Sequence, residues 1–173
     1  MEYTINNIKL SFKISLTPLD NVEKVLESIN VIYKKFHNYM VFSINDIHYV
    51  LFKENTKKKC NHLNVTKIPS LKKILEIKNF IEKLLSCSIL IEQVDNIMAT
   101  SQMSHTLDLQ HLAQYSLRHI AKYNAETFPG LFLKFKEGTL ILFHSGKIVI
   151  VGCKEEKHIV WLLTRLCALI SMK

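Results

Sequence analysis

The chain has 173 residues, of which 48% are hydrophobic and 22% charged, which suits one packed domain or two small halves sharing a core. Only 4 glycines and 3 prolines leave little room for linkers, and no apolar run has the length of a membrane helix. The net charge of +8 favours an anionic partner such as nucleic acid, a membrane surface or an acidic protein. The start MEYTINNIKL has no signal-peptide pattern, so we expect an intracellular protein.

The first half of the chain predicts strands and helices in alternation. Alternating apolar residues over 3–14 indicate a strand, and helical spacing over 20–33, with Asp20 as cap, predicts a helix. Strands then follow at 39–44, 47–53 and 62–68, with a turn at Asn45-Asp46 and a basic loop, E-N-T-K-K-K-C-N, between them. Pro69 begins the next helix, whose apolar side contains Leu71, Ile74, Leu75, Ile77, Ile81, Leu84 and Leu85.

The second half repeats this order of elements. A strand is predicted over 88–100, and a helix over 107–123 with Thr106 as a possible cap. Further strands, separated by the turns Glu137-Gly138 and Ser145-Gly146, and a last helix follow at 131–136, 139–144, 147–153 and 154–170.

Three landmarks recur between the halves at nearly constant offsets: Asn7 and Asn96 at 89, Phe36 and Phe128 at 92, and Phe52 and Phe143 at 91. A duplicated unit explains such offsets, so we predict one integrated domain built from the repeats 1–87 and 88–173. The predicted fold class is α+β, with a curved antiparallel sheet whose helices cover one face. The other face must then meet solvent or a ligand.

The segment YNAETFPGLFLKF, followed by TLILFHSGKIVIVGCK, resembles the second repeat of the TATA-box-binding protein family. That family's pattern is roughly E-x-F-P-G-L, a strand, and then I-F-x-S-G-K-x-V-x-T-G-A-K; VDNIMAT resembles its first strand of the repeat. The similarity is dense from Asn96 to Lys154, whereas the first half keeps the layout but little of the sequence. The resemblance implies a saddle of two pseudo-symmetric repeats with helices on the convex face.

The resemblance also implies a role for the aromatic residue ahead of Pro-Gly. In the family, each repeat carries two phenylalanines that wedge between base steps of DNA and kink it. The matching residues here are Phe36, Phe52, Phe128 and Phe143. Taken alone, each of these side chains has core packing as its ordinary alternative.

Further residues match the family's groove-facing and phosphate-facing positions. Alternation places Ile141 and Phe143 on one face of a strand, and an apolar face suits the minor groove, where A·T pairs offer few groups to read. The asparagine amides can donate to those acceptors. The expected groove-facing residues are Asn7, Asn96, Met98, Ile141, Val149 and Val151, and the expected phosphate contacts are Lys134, Lys147 and Lys154.

No catalytic or metal site is expected. The cysteines form no C-x-x-C pair, and Cys60-x-His62 offers too few ligands for zinc. We therefore expect free structural thiols, and no paired-carboxylate site from Asp46, Asp95 or Asp108.

The resemblance implies a non-enzymatic protein of the nucleus, or of a viral transcription compartment. It would bend A·T-rich promoter DNA and nucleate initiation complexes with general transcription factors and RNA polymerase, with no cofactor, metal, membrane or small-molecule substrate. Lys9, where the family has a small apolar residue, and Val151, where it has threonine, indicate a diverged member. Two alternatives stay open: an interaction module with weak or lost DNA binding, and a domain serving a nucleic-acid enzyme. Exposure of Phe36 and Phe52 separates the first alternative from DNA binding.

Overall fold

A computed structural model describes residues 1–15, 18–53 and 60–171, which fall into two compact units. The N-terminal unit comprises Asn7–Asp95, and the C-terminal unit comprises Met1–Asn6 together with Asn96–Lys173. The repeat boundaries 1–87 and 88–173 remain a prediction about the sequence.

The N-terminal unit is an antiparallel sheet with helices. Its sheet follows the order β2-β3-β4-β5-β1-β6, and the strands β1 and β6 continue into the other unit. The elements are β1 (Tyr3–Ser15), α1 (Leu19–Ser28), β2 (Tyr33–Lys35), β3 (Tyr39–Ile44), β4 (Ile47–Phe52), β5 (Cys60–Ile68), α2 (Lys73–Leu85) and β6 (Ile89–Gln102).

The C-terminal unit repeats this plan in the order β1-β6-β10-β9-β8-β7. A π-helical turn, Leu112–Ser116, directly follows its first helix. The elements are α3 (Leu109–His111), β7 (Ala121–Lys122), β8 (Gly130–Lys134), β9 (Thr139–Phe143), β10 (Lys147–Cys153) and α4 (Glu156–Ser171). The α+β class and the antiparallel sheet are therefore confirmed. No helix among the described residues is long and apolar enough to cross a membrane.

Buried apolar residues at every second position of the strands form the core of each unit. Every second residue of β1, from Ile8 to Ile14, is buried, and so are Val22 and Leu26 of α1. In the C-terminal unit, the same pattern in β8, β9 and β10 meets the buried side of α4, which includes Ile159. Each fully buried aliphatic side chain stabilises the fold by about 1.5–3 kcal/mol. Helices cover this side of the strands, and the alternate residues form the opposite side.

The first predicted helix, 20–33, is too long and its cap is wrong. It ends at Ser28, because Asn30 adopts the left-handed conformation with φ 55°, and Ile32 is 89% exposed. Pro18 occupies the cap position and Asp20 lies in the first turn. The residues that follow form β2, a strand that sequence reasoning missed.

The second predicted helix begins at Lys73, not at Pro69. The amide of Lys73 bonds to the Ser70 carbonyl, three residues back, so a tight turn precedes the helix. Leu75, assigned to its apolar side, is 64% exposed. The strand before it begins at Cys60, inside the predicted loop E-N-T-K-K-K-C-N, and residues 54–59 of that loop lie outside the described residues.

The helix predicted over 107–123 is wrong. Asp108, not Thr106, caps α3, since its carboxylate accepts from the His111 amide at 2.9 Å. The amide of Leu117 then bonds to the Leu112 carbonyl, five residues back, so the helix widens into a π turn and ends. The residues beyond it pair with β8 as β7. Of the other predicted elements, 39–44 and 147–153 have the bounds of β3 and β10, and the rest differ from the structure by one or two residues at their ends.

Candidate nucleic-acid interface

Each unit presents one sheet face away from its core, here called its open face. Cross-strand pairing and alternation define its members. The open face of the N-terminal unit contains Lys9, Ser11, Lys13, Tyr39, Val41, His48, Val50, Phe52, His62, Asn64 and Thr66. The open face of the C-terminal unit contains Met98, Thr100, Phe132, Lys134, Thr139, Ile141, Phe143, Lys147, Val149 and Val151.

An aromatic cluster lies on the open face of the C-terminal unit, at the end where β8 begins and β9 ends. Phe128, which is 38% exposed, lies 5.0 Å from Phe132 and 6.0 Å from Phe143 between ring centroids. Gly130 pairs with Phe143 across the strands, and a Cβ added to Gly130 would lie 2.6 Å from Phe128 Cε1 and 2.8 Å from Ile141 Cγ2. The glycine is needed because the Phe128 ring lies directly over the backbone. The Phe-Pro-Gly sequence thus holds an aromatic ring out on the open face.

The N-terminal unit carries a different aromatic cluster at the equivalent place. Tyr39 pairs with Phe52, as Gly130 pairs with Phe143, so a tyrosine occupies the glycine position. Phe36, which is 45% exposed, stacks on Tyr39 with ring centroids 4.5 Å apart and planes at 18°. The Tyr39 ring lies 5.9 Å from that of Phe52.

Sequence reasoning missed Tyr39 as a member of this cluster. The signal was one extra residue: three steps separate Phe36 from Tyr39, and two separate Phe128 from Gly130. That residue explains why the offset between the units is 92 at one phenylalanine and 91 at the other.

The two candidate asparagines make the same hydrogen bond in their own units. Asn7 Oδ1 accepts from the Lys67 amide at 2.7 Å, and Asn96 Oδ1 accepts from the Gly152 amide at 2.6 Å. Lys67 has φ 63° and Gly152 has φ 84°, and each lies where the strand register shifts. Because a backbone amide fixes the oxygen, the NH₂ group of each asparagine remains the available donor.

The remaining groove candidates of the C-terminal unit form a half-buried apolar surface. Val149 pairs with Ile141 on one side and with Thr100 on the other, and Val151 pairs with Thr139. Met98 lies between the buried residues Ile97 and Ala99 and therefore faces the open side. The structure thus brings these candidates together on one face.

The three candidate lysines lie at the ends of strands and are exposed. Lys134 ends β8, Lys147 begins β10, and Lys154 directly follows β10. Within the described part of the chain, none of them forms a salt bridge with a carboxylate. Their charges are therefore available to an anion.

The open face of the N-terminal unit is polar and contains internal ion pairs. Lys13 lies 3.0 Å from Glu92, which also faces His62 at 3.3 Å. Lys9 lies 3.8 Å from Asp95. Sequence reasoning noticed Lys9 but missed both carboxylates as partners, because these pairs form between neighbouring strands. No group of three metal-ligating side chains occurs among residues 1–15, 18–53 and 60–171.

Comparisons with known proteins agree with this geometry. Residues 92–172 match the family model described as Transcription factor TFIID (or TATA-binding protein, TBP). A TATA-box-binding protein of Thermococcus sibiricus is 32% identical over 81 residues, and one of Thermoplasma volcanium is 36% identical over 90 residues. Superposition on the structure of Methanococcus jannaschii TBP covers 100% of each chain, with a TM-score of 0.81 and 22% sequence identity. The two chains therefore share a fold.

Residues 92–172 belong to the TATA-binding protein family by sequence, and the whole chain has the fold of a member of that family. The Thermococcus alignment covers 46% of this chain and 43% of the relative, and the Thermoplasma alignment covers 48% and 49%. The chain thus matches about half the length of these TATA-binding relatives in sequence. The matched half is the one with the apolar open face, whereas the N-terminal unit shares the fold with a chemically different face.

Proposed function

We propose that this protein binds the minor groove of A·T-rich promoter DNA, bends it, and starts the assembly of a transcription initiation complex. One observation carries the proposal: each open face ends in a cluster of partly exposed aromatic rings. Phe128 with Phe143, and Phe36 with Phe52, supply the wedges. A soluble protein gains nothing for its own stability from keeping such rings in water, which supports a role in binding.

The energetics favour wedging by these rings. Unstacking a base step costs a few kcal/mol, and the bent duplex then meets more protein surface. Stacking of a base on an aromatic side chain returns about 1–3 kcal/mol. Phe128 and Phe36 still expose 38% and 45% of their surface in the free protein, so they have apolar area to contribute. When these rings insert between base steps, the apolar surface that they expose in the free protein becomes buried against DNA. This burial offsets part of the cost of bending.

The apolar open face of the C-terminal unit supports A·T recognition by that unit. Val149, Val151 and Ile141 form an apolar floor that offers the guanine amino group no acceptor. Asn7 and Asn96 each keep an NH₂ donor for the adenine N3 and thymine O2 acceptors.

The exposed lysines supply affinity without sequence information. Lys134, Lys147 and Lys154 are placed to contact phosphates, and the net charge of +8 steers the protein towards DNA. We infer a non-enzymatic factor acting where transcription starts, in a nucleus or a viral compartment, with general transcription factors and RNA polymerase as partners. The relatives' names, TATA-box-binding protein, and the family model's description as a transcription factor support DNA binding and a role in transcription.

Phenylalanine-to-alanine variants test the proposal. Phe128→Ala and Phe143→Ala should each reduce the bend of an A·T-rich duplex, measured by energy transfer between its labelled ends. The matched control is Phe135→Ala, because Phe135 packs edge-on against Trp161 at 5.7 Å and does not belong to the open face. The control should lower the thermal midpoint while leaving the bend unchanged. Wild-type bending by both wedge variants would refute the proposal.

An interaction module with little DNA binding is the second candidate. The ion pairs of Lys9 with Asp95 and Lys13 with Glu92 favour it, since carboxylates oppose an anionic ligand. Binding to polymerase or transcription factors without any bending of DNA would support this candidate.

A further inference from the structure

The open faces of the two units differ at positions that the sheet makes equivalent. Asn64 pairs with Ser11 on one side and with Val50 on the other, as Val149 pairs with Thr100 and Ile141. Asn64 therefore occupies the position of Val149, an apolar residue of the C-terminal unit. The N-terminal unit has a hydrogen-bonding amide where the other unit has a branched alkyl group.

Ser11 determines how this amide is oriented. Its hydroxyl has one proton and two polar neighbours, with Asp95 Oδ2 at 2.6 Å and Asn64 Oδ1 at 3.1 Å. The shorter bond is charge-assisted, so the proton lies towards the carboxylate. The serine oxygen then has no proton to donate to Asn64 and can only accept a hydrogen bond from it. The Asn64 amide must therefore turn over and donate from its NH₂ group. That rotation leaves the Asn64 carbonyl oxygen as an acceptor on the open face.

The carboxylate beside this acceptor is held and compensated. Asp95 Oδ1 accepts from Gln93 Nε2 at 2.6 Å, and Lys9 lies 3.8 Å from Asp95 Oδ2. The site thus combines a fixed acceptor with a locally balanced charge. Lys9 can donate to acceptors that every base pair presents in the minor groove, so it does not distinguish A·T from G·C.

We propose that the N-terminal unit reads G·C pairs in the minor groove through Asn64, positioned by Ser11 and Asp95. The guanine N2 amino group is the one donor on the minor-groove edge of a base pair, and an acceptor at its depth is what recognises it. The inference rests on the proposed DNA binding. It predicts a composite site, A·T-rich where the C-terminal unit binds and containing G·C where the N-terminal unit binds.

Inosine provides a direct test, because it pairs with cytosine but lacks the N2 amino group. The full chain is titrated with three duplexes of equal length: all A·T, half A·T with half G·C, and the same composite with inosine in place of guanine. The guanine composite should bind about two- to tenfold tighter than the inosine composite, as one hydrogen bond allows. Asn64→Val should abolish or invert this preference.

A reciprocal variant controls for the chemistry of the substitution. Val149→Asn places an amide beside Thr100 in the C-terminal unit without the Ser11–Asp95 pair that orients Asn64, so it should not raise the affinity for a duplex with G·C in both halves. Equal affinity for the guanine and inosine composites, with normal binding of the all-A·T duplex, would overturn this inference alone. Tighter binding of the inosine composite would also overturn it, since the amino group would then be an obstacle. Failure to bind any of the duplexes would overturn the proposed function as well. The wild-type comparison needs no variant and stands even if Asn64→Val does not fold.

Discussion

Gly130→Ala tests how the aromatic cluster of the C-terminal unit is built. The new methyl group would lie 2.6 Å from Phe128 Cε1 and 2.8 Å from Ile141 Cγ2. Carbon atoms in contact are separated by about 3.5–4.0 Å, so the Phe128 ring must move by about 1 Å. Such a shift changes how the ring packs against Phe143, which lies 6.0 Å away between centroids. We expect a smaller DNA bend than in the wild-type protein.

The stability change follows from two opposing effects. Overpacking costs about 1–3 kcal/mol, whereas replacing glycine by alanine inside a strand returns about 0.5–1 kcal/mol. Gly130 is not among the residues with positive φ, so the backbone adds no strain. The middles of these two ranges leave a net loss of about 1 kcal/mol, which should lower the thermal midpoint by about 2–4 °C for a chain of this size.

A double-mutant cycle isolates the contact with the ring. Phe128→Ala removes the atoms that the new methyl group meets most closely, so the cost of Gly130→Ala should fall by about 1 kcal/mol in that background. Thermal or denaturant unfolding of the wild-type protein, both single variants and the double variant supplies the four values. Additive effects, or a Gly130→Ala variant with unchanged midpoint and bend, would refute the reasoning.

Three further predictions concern the charge of the interface and a buried thiol. Lys147→Ala should reduce the slope of log affinity against log salt by about one unit without changing sequence preference, and an unchanged slope would mean that Lys147 meets no phosphate. Burial raises the pKa of the Cys153 thiol to about 11. A thiol reagent at about pH 8 should therefore modify the half-buried Cys60 before it modifies Cys153, as measured by peptide mapping. Equal rates of modification would contradict this order. The pKa of Cys153 is higher in the folded state than in the unfolded state. Its contribution to stability is therefore complete below the unfolded pKa of about 8.5 and is lost as the pH rises towards 11. Cys153→Ala should diminish this loss in unfolding measurements at alkaline pH.

Long alternating segments allowed much of the sheet to be predicted from sequence. The bounds of β3 and β10 are those predicted, because in-out alternation reports directly on burial. The short edge strands β2 and β7 were missed, since two or three residues carry no periodicity and pair only because β3 and β8 are already in place. Leu109, Leu112 and Leu117 are buried as a helix would require, but their spacing cannot distinguish a continuous helix from a π turn.

The candidate interface divides in the same way. Phe128 and Val149 could be assigned from motif and alternation, because the second half carries the family's sequence pattern. The hydrogen bond from Ser11 to Asp95 joins residues 84 positions apart, so no local sequence pattern predicts it. Tyr39 was missed because its role depends on pairing with Phe52, which only the register reveals.

The most direct test of the central claim is the end-to-end distance of a labelled A·T-rich duplex bound by the wild-type protein. It should be compared with a duplex that is G·C-rich throughout, at two salt concentrations. We predict a strongly shortened distance on the A·T-rich duplex and weaker, more salt-sensitive binding to the G·C-rich one, since the apolar face of the C-terminal unit offers guanine no acceptor. Binding with an unchanged end-to-end distance and no preference between the duplexes would contradict the account, because the exposed phenylalanines would then not act as wedges.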